Sequence, residues 1–149
     1  MTADEVAELL GLEPLPGEGG RYRRTFFDGR SSAIHFLLSA DDASAMHRLD
    51  APEVWHHYAG APVLLLLVDE DGPREVLLGD DLAAGQLPQV VVAAGVWQGG
   101  VSTGDWSLVG TTMAPPWHED GFELADVEEL AERWPAARDT LRRIVERGA

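Results

Sequence analysis

The chain has 149 residues, 45% of them hydrophobic, which suffices for one globular domain with a sizeable core and is too little for two ordinary ones. Its 26 acidic residues against 11 basic ones give a formal net charge of −15, which repels phosphate backbones and anionic bilayers and argues against nucleic acid or membranes as partners. Cysteine, lysine and asparagine are absent. Disulfides, thiolate metal sites, a Schiff base to pyridoxal phosphate (PLP) and a phosphate loop ending in Gly-Lys-Ser/Thr are therefore excluded, and no nucleotide cofactor is expected.

The acidic start "MTADEVAELLGLEP" has neither the basic opening nor the apolar core of a signal peptide, and no apolar run approaches the length of a membrane span. A soluble, cytoplasmic protein is expected. Arginine in every basic role, with abundant Ala, Gly and Leu, suggests a GC-rich bacterial genome.

Thr2 followed by Glu5 has capping-box spacing, and Val6, Leu9 and Leu10 recur at helical intervals, so a short helix ending near Gly11 is predicted. "EPLPGEGG" reads as a loop. From Arg21 the texture changes to short apolar or alternating runs: "YRRTFF", "AIHFLLS", "SAMHRL", "EVWHHY", "VLLLLV", "REVLLG", "QVVVAA" and "WSLVGTTM". The turn-like "DGRS", "DEDG", "GDD" and "GVSTGD" separate them, the spacing of an all-β sandwich or barrel. Closure into a barrel removes exposed edges and is the expected form. A helical pattern returns from Ala125: Asp126 with Glu129 resembles a capping box, and Pro135 suits the first turn of a last helix carrying Leu141, Ile144 and Val145. The expectation is a single domain, with a barrel over about 21–123 and a helical tail over about 124–148.

"HRLDAPEVWHHYAG", residues 47–60, packs three of the five histidines beside a glutamate, a tryptophan and a tyrosine. Alternation in a strand puts Glu53, Trp55 and His57 on one face and Val54, His56 and Tyr58 on the other. The six residues between Glu53 and Gly60, with His47 six before the glutamate, resemble the first cupin motif, His-x-His-x(3,4)-Glu-x(6)-Gly, with Leu49 in place of the second histidine. "VAAGVWQGG" resembles the second motif, with Ala93 for its proline, Gly95 retained and Gln98 for its histidine.

"LLGLEPLPGEGGRYRRTF", "SSAIHFLLS", "HRLDAPEVWHHYAG", "LLGDDLAAGQLPQVVVAAGVWQ" and "WSLVGTTMAPPW" followed by "FEL" are similar in order and spacing to the single-domain cupins of domain of unknown function 985, the cupin-5 family. The resemblance covers nearly the whole chain. It implies a double-stranded β-helix, or jelly-roll, barrel, commonly a homodimer, around a small-molecule pocket. The chain departs from the family's usual pattern at Arg24, His35 and His57, where glutamate, tyrosine and phenylalanine are common, and at "APPWHEDGF".

Three functional readings follow. His47 and Glu53 resemble the acid–base pair of cupin epimerases and isomerases acting on a small polar, sugar-like or keto/hydroxy acid substrate, with Gln98 orienting it and Trp55, His57, His35 and Trp97 as binding walls. Alternatively, His47, Glu53 and Gln98 hold a divalent transition metal in an enzyme such as a dioxygenase, although Leu49 removes one donor and Gln98 is a poor substitute for another. The third reading is a non-catalytic ligand-binding cupin. Of Trp55, Trp97, Trp106 and Trp117, about half are expected in the core or an interface. His118 is expected at the surface or rim, and "DEDG" and "GDDL" are solvated turns.

Overall fold

Residues 1–148 are described by the computed structural model, and both helical signals of the sequence are realised in it. Thr2 accepts from the Glu5 amide while the Glu5 carboxylate accepts from the Thr2 amide, which starts α1 (Ala3–Leu10); Gly11, at φ 65°, ends it. Asp126 accepts from the Glu129 amide at the start of α2 (Val127–Arg133). Pro135 opens a single 3-10 turn, Pro135–Ala137, that runs into α3 (Arg138–Gly148).

Between the helices lie β1 (Glu13–Pro14), β2 (Arg21–Phe27), β3 (Ser32–Ser39), β4 (Ser44–Leu49), β5 (Glu53–Gly60), β6 (Val63–Asp69), β7 (Gly72–Leu78), β8 (Gln89–Val92), β9 (Trp97–Ser102), β10 (Trp106–Met113) and β11 (Phe122–Leu124). They form two antiparallel sheets in the orders β1-β2-β3-β10-β5-β8 and β11-β4-β9-β6-β7. The closed barrel expected from the sequence is not what forms. Among the described residues the sheets stay separate ladders, joined at one corner by the bridge between Leu78 and Leu87. Edge protection comes instead from short outer strands, two residues in β1 and three in β11.

Each sheet turns one face to the other. Phe36, Leu38, Trp55, Val63, Leu65, Leu67, Val90, Val92 and Val109 fill the space between them. Their fully buried side chains contribute about 1.5–3 kcal/mol each by leaving water. Strand β6 reads as an unbroken apolar run because its other face is covered too. Leu66 and Val68 pack with Met46 and Val101 beneath Leu130, Leu141 and Ile144 of α2 and α3. On the opposite side of the molecule, Val6 and Ala7 of α1 cover Leu37.

Strand β9 corrects the sequence reading, which took "GVSTGD" as a turn although its first three residues complete the strand. The glycines of β9 serve close approach. A Cβ on Gly99 would lie 2.6 Å from Met46 Sδ, and one on Gly100 would lie 2.8 Å from the Leu64 carbonyl oxygen. Bare backbone lets β9 pair with both β4 and β6 in the centre of its sheet. No helix among the described residues is long and apolar enough to cross a membrane.

Candidate functional site

One end of the space between the sheets is not filled by side chains. Glu53 opens β5, Met113 closes β10 and Ser32 opens β3, so their inward side chains gather at the same end. They border a cavity of about 750 Å³, together with Leu15, Glu18, Tyr22, Arg24, Ile34, Thr111, Trp117, Glu119 and Phe122. The segment between β10 and β11 forms one rim. The Trp117 amide donates to Ser32 Oγ at 3.0 Å, and His118 Nε2 is 3.0 Å from the Asp50 carboxylate.

Glu53 is 7% exposed, and Thr111 and Gln98 hydrogen-bond to its carboxyl. Burial and the neighbouring Glu18 charge push its pKa up to about 7, against the opposing influence of His47 and the two hydrogen bonds. This glutamate therefore exchanges its proton near neutrality. Gln98, paired in register with His47 across β4 and β9, is 1% exposed. Its Oε1 accepts from Trp55 Nε1 at 2.7 Å, and since an indole N–H only donates, that bond turns the amide's donor side toward Glu53.

His47 is also 1% exposed, its ring stacked on Phe122 at 5.1 Å between centroids. Nδ1 is 2.7 Å from the Ala45 carbonyl oxygen, which only accepts, so Nδ1 carries the hydrogen. In the neutral ring Nε2 is then the accepting nitrogen, and it lies 3.7 Å from Glu18 Oε1. Glu18 is one residue that sequence reasoning missed, as are Tyr22, Ser32 and Thr111 of the cavity wall. Glu18 belongs to the "PGEGG" loop, its backbone carbonyl accepts from the Ala45 amide, and its Oε2 accepts from Ser44 Oγ at 2.9 Å. The flanking glycine was the available signal: a Cβ on Gly19 would lie 2.2 Å from the Ala43 carbonyl oxygen, so only glycine lets the loop sit this close to the sheet.

A family model described as Cupin superfamily (DUF985) matches residues 4–125. The chain belongs to this family. Among solved structures, protein SO0799 from Shewanella oneidensis is 34% identical with a TM-score of 0.87, and the match covers 97% of each chain. A hypothetical protein from Leishmania major is 26% identical with a TM-score of 0.85, over 96% of this chain and 98% of the other. Streptomyces PAC13 with uridine has a similar fold, at 11% identity and a TM-score of 0.56 over 76% of this chain and 84% of the other. No curated protein matches the sequence. These cupin relatives support a jelly-roll arrangement of the two sheets.

Several residues predicted to line the pocket of this cupin lie elsewhere. His35 is on the outer face of its sheet, because Ser32, Ile34, Phe36 and Leu38 of the same strand take the inner one; its ring meets Tyr58 edge-on at 6.0 Å. Trp97 neighbours the inward Gln98 and so faces out, where the Arg48 guanidinium sits 4.4 Å from its ring centroid. His57 shares the inner face with Glu53 and Trp55, but it lies toward the far end, with Nε2 3.2 Å from the Ala61 carbonyl oxygen. Trp55 is fully buried core that fixes Gln98 rather than a wall. Trp117, 42% exposed, does border the cavity, whereas Trp106 donates to the Met1 carbonyl beside α1. His118 is at the rim, as expected.

A resident metal does not fit the residues this cupin presents. Leu49 sits among Ala51, Met113 and Phe122 and has no donor, and Gln98 Oε1 is occupied by Trp55, so of the four cupin positions only His47, through Nε2, and Glu53 could donate. Among the described residues no group of three His, Cys, Asp or Glu side chains is placed to hold one.

Proposed function

We propose that this protein is a small-molecule enzyme that moves a proton with the Glu53 carboxyl, isomerising or epimerising a small polar carbonyl compound. The observation that carries the reading is a buried carboxyl bordering a cavity of about 750 Å³ with its pKa raised to about 7. As carboxylate, Glu53 takes a proton from the carbon next to the substrate carbonyl, and the electron pair moves onto the carbonyl oxygen. Returning that proton to the neighbouring carbon isomerises the compound. Epimerisation instead needs a second acid on the opposite face, the Tyr22 hydroxyl or the Glu119 carboxyl of the cavity wall, to protonate the same carbon while Glu53 keeps the proton it took. The hydroxyls of Tyr22, Ser32 and Thr111 border the same cavity and are the candidate donors to the developing oxyanion. Gln98 and Trp55 act one layer behind, holding the carboxyl in place. His47 acts through Glu18, as a positioning residue rather than a group that touches substrate.

Solvent deuterium incorporation, followed by proton NMR over a panel of sugars and small keto and hydroxy acids, tests the proposal. Exchange by the wild type that is lost in Glu53→Gln, with ligand affinity retained, supports it. A ligand that binds without exchange at any pH overturns it in favour of a non-catalytic binding cupin.

The proposal includes a homodimer, as the family implies. Support comes from Tyr58 and Val91, exposed on a sheet face that α1 covers only in part. Light scattering should give twice the 16.2 kDa of the chain.

A further inference from the structure

We infer that the cavity selects a carbonyl compound bearing an ammonium group, of the amino-sugar type, and rejects carboxylates and phosphates. The inference rests on the cavity being the substrate site proposed above. Its wall carries three carboxyl groups, Glu18, Glu53 and Glu119, and three aromatic faces, Tyr22, Trp117 and Phe122. The single cationic side chain on that wall, Arg24, is exposed, with its guanidinium 4.3 Å from the Phe27 ring centroid. An anionic group near Glu53 would face Glu18 as well. The nearest imidazole, His47, is sealed behind the wall and its Nδ1 is already committed to Ala45.

An ammonium group meets the opposite situation. Glu18 uses Oε2 for Ser44, while Oε1 accepts no hydrogen bond among the described residues and has only the His47 ring at 3.7 Å. Aromatic faces attract a cation through their quadrupoles, and a chain of net charge −15 raises the local concentration of cations around it. A neutral sugar could donate to Glu18 but would bring no charge of its own to the three carboxyl groups.

Binding should also move a proton. The groups facing Glu53 are Glu18, His47, Thr111 and Gln98. A cation added beside them favours the Glu53 carboxylate, so affinity rises with pH toward about 7 and binding releases protons to the buffer.

The test is calorimetric titration of the full chain with glucosamine, glucose and glucuronate, one ring with three charges. The expected result is glucosamine binding at least about tenfold tighter than glucose, with glucuronate undetectable, and most of that advantage lost in Glu18→Gln. Glutamine keeps an oxygen for Ser44, so the loop is retained; circular dichroism of the variant checks this. Glucose binding as tightly as glucosamine, tighter glucuronate binding, or no glucosamine binding at millimolar concentration overturns the inference. Deuterium exchange is read on the same samples. Glucosamine that binds in a Glu18-dependent way without exchange leaves the selection standing and removes the acid–base reading; exchange on glucuronate does the reverse.

Discussion

The space between the sheets has a polar group of side chains at each end, and the two groups behave differently. At the closed end, Ser102 and Ser107 share a 2.7 Å hydrogen bond, Ser107 also donates to the Ala61 carbonyl at 2.6 Å, and His57 meets the same carbonyl. Both serines are fully buried, and neither carries a charge that burial could displace. At the open end, Glu18, His47 and Glu53 are crowded beside a cavity, and protonation of Glu53 moves to near neutrality. Neutral hydroxyls on carbonyls fasten a turn. A buried carboxyl with a second carboxylate beside it stores a bias in its proton equilibrium. The same architecture thus carries a structural and a chemical version of buried polarity.

The sharpest way to break this contrast is Glu53→Gln, which should lower turnover by about 10²–10⁴-fold, the usual share of a positioned acid–base group, while leaving ligand binding in place. Initial rates and titrations on the same preparation check the split. The wild-type rate should rise with pH through about 7 if the carboxylate is the base, and that limb should vanish in the variant.

Stability moves in the opposite direction to activity. A raised carboxyl pKa means that the folded state binds the extra proton between pH 4.5 and about 7, so this contribution is complete below pH 4.5 and is lost as pH rises through about 7. The shift corresponds to about 3 kcal/mol of bias against the charged form. Glu53→Gln should therefore unfold at higher urea than wild type at pH 8 and at about the same urea at pH 4.

At the closed end the expected outcome is reversed. Ser107→Ala removes the bonds to the Ala61 carbonyl and to Ser102, which keeps the Gly104 backbone as partner, and should cost about 0.5–1.5 kcal/mol in urea melts with little change in rate. The smallest effect belongs to the rim: Asp50→Asn, which breaks an exposed pair with His118, should cost at most about 1 kcal/mol.

Much of this was legible before the structure. Helix caps at Thr2 and Asp126 were readable because capping is local chemistry with fixed spacing. Strand alternation placed Glu53, Trp55 and His57 on one face, and the structure puts them there. The same parity argument separates Gln98 from Trp97, yet both were assigned to the pocket, Gln98 through its place in the second cupin motif, because β9 was not read as a strand. His35 failed for a related reason. Leu37 and Leu38 are apolar on both faces, one under α1 and one between the sheets, so the inward face could not be told from the run "HFLLS". Glu18 was out of reach of periodicity altogether, since a loop residue is brought to a site by its glycines and by long-range packing. The two-sheet form in place of a closed barrel depends on which edges pair, and single-strand patterns do not encode that.

The segment that carries Trp117 and Glu119 over the cavity is tied down by the Trp117 amide on Ser32 and by His118 on Asp50. Both ties are polar, and the second is open to water. Lifting Trp117 and Glu119 breaks only these ties, since Phe122 stays anchored in β11 against Leu49, Ala51 and Met113. The dwell time of a bound molecule should accordingly shorten as ionic strength rises, while the melting temperature of the sandwich barely moves.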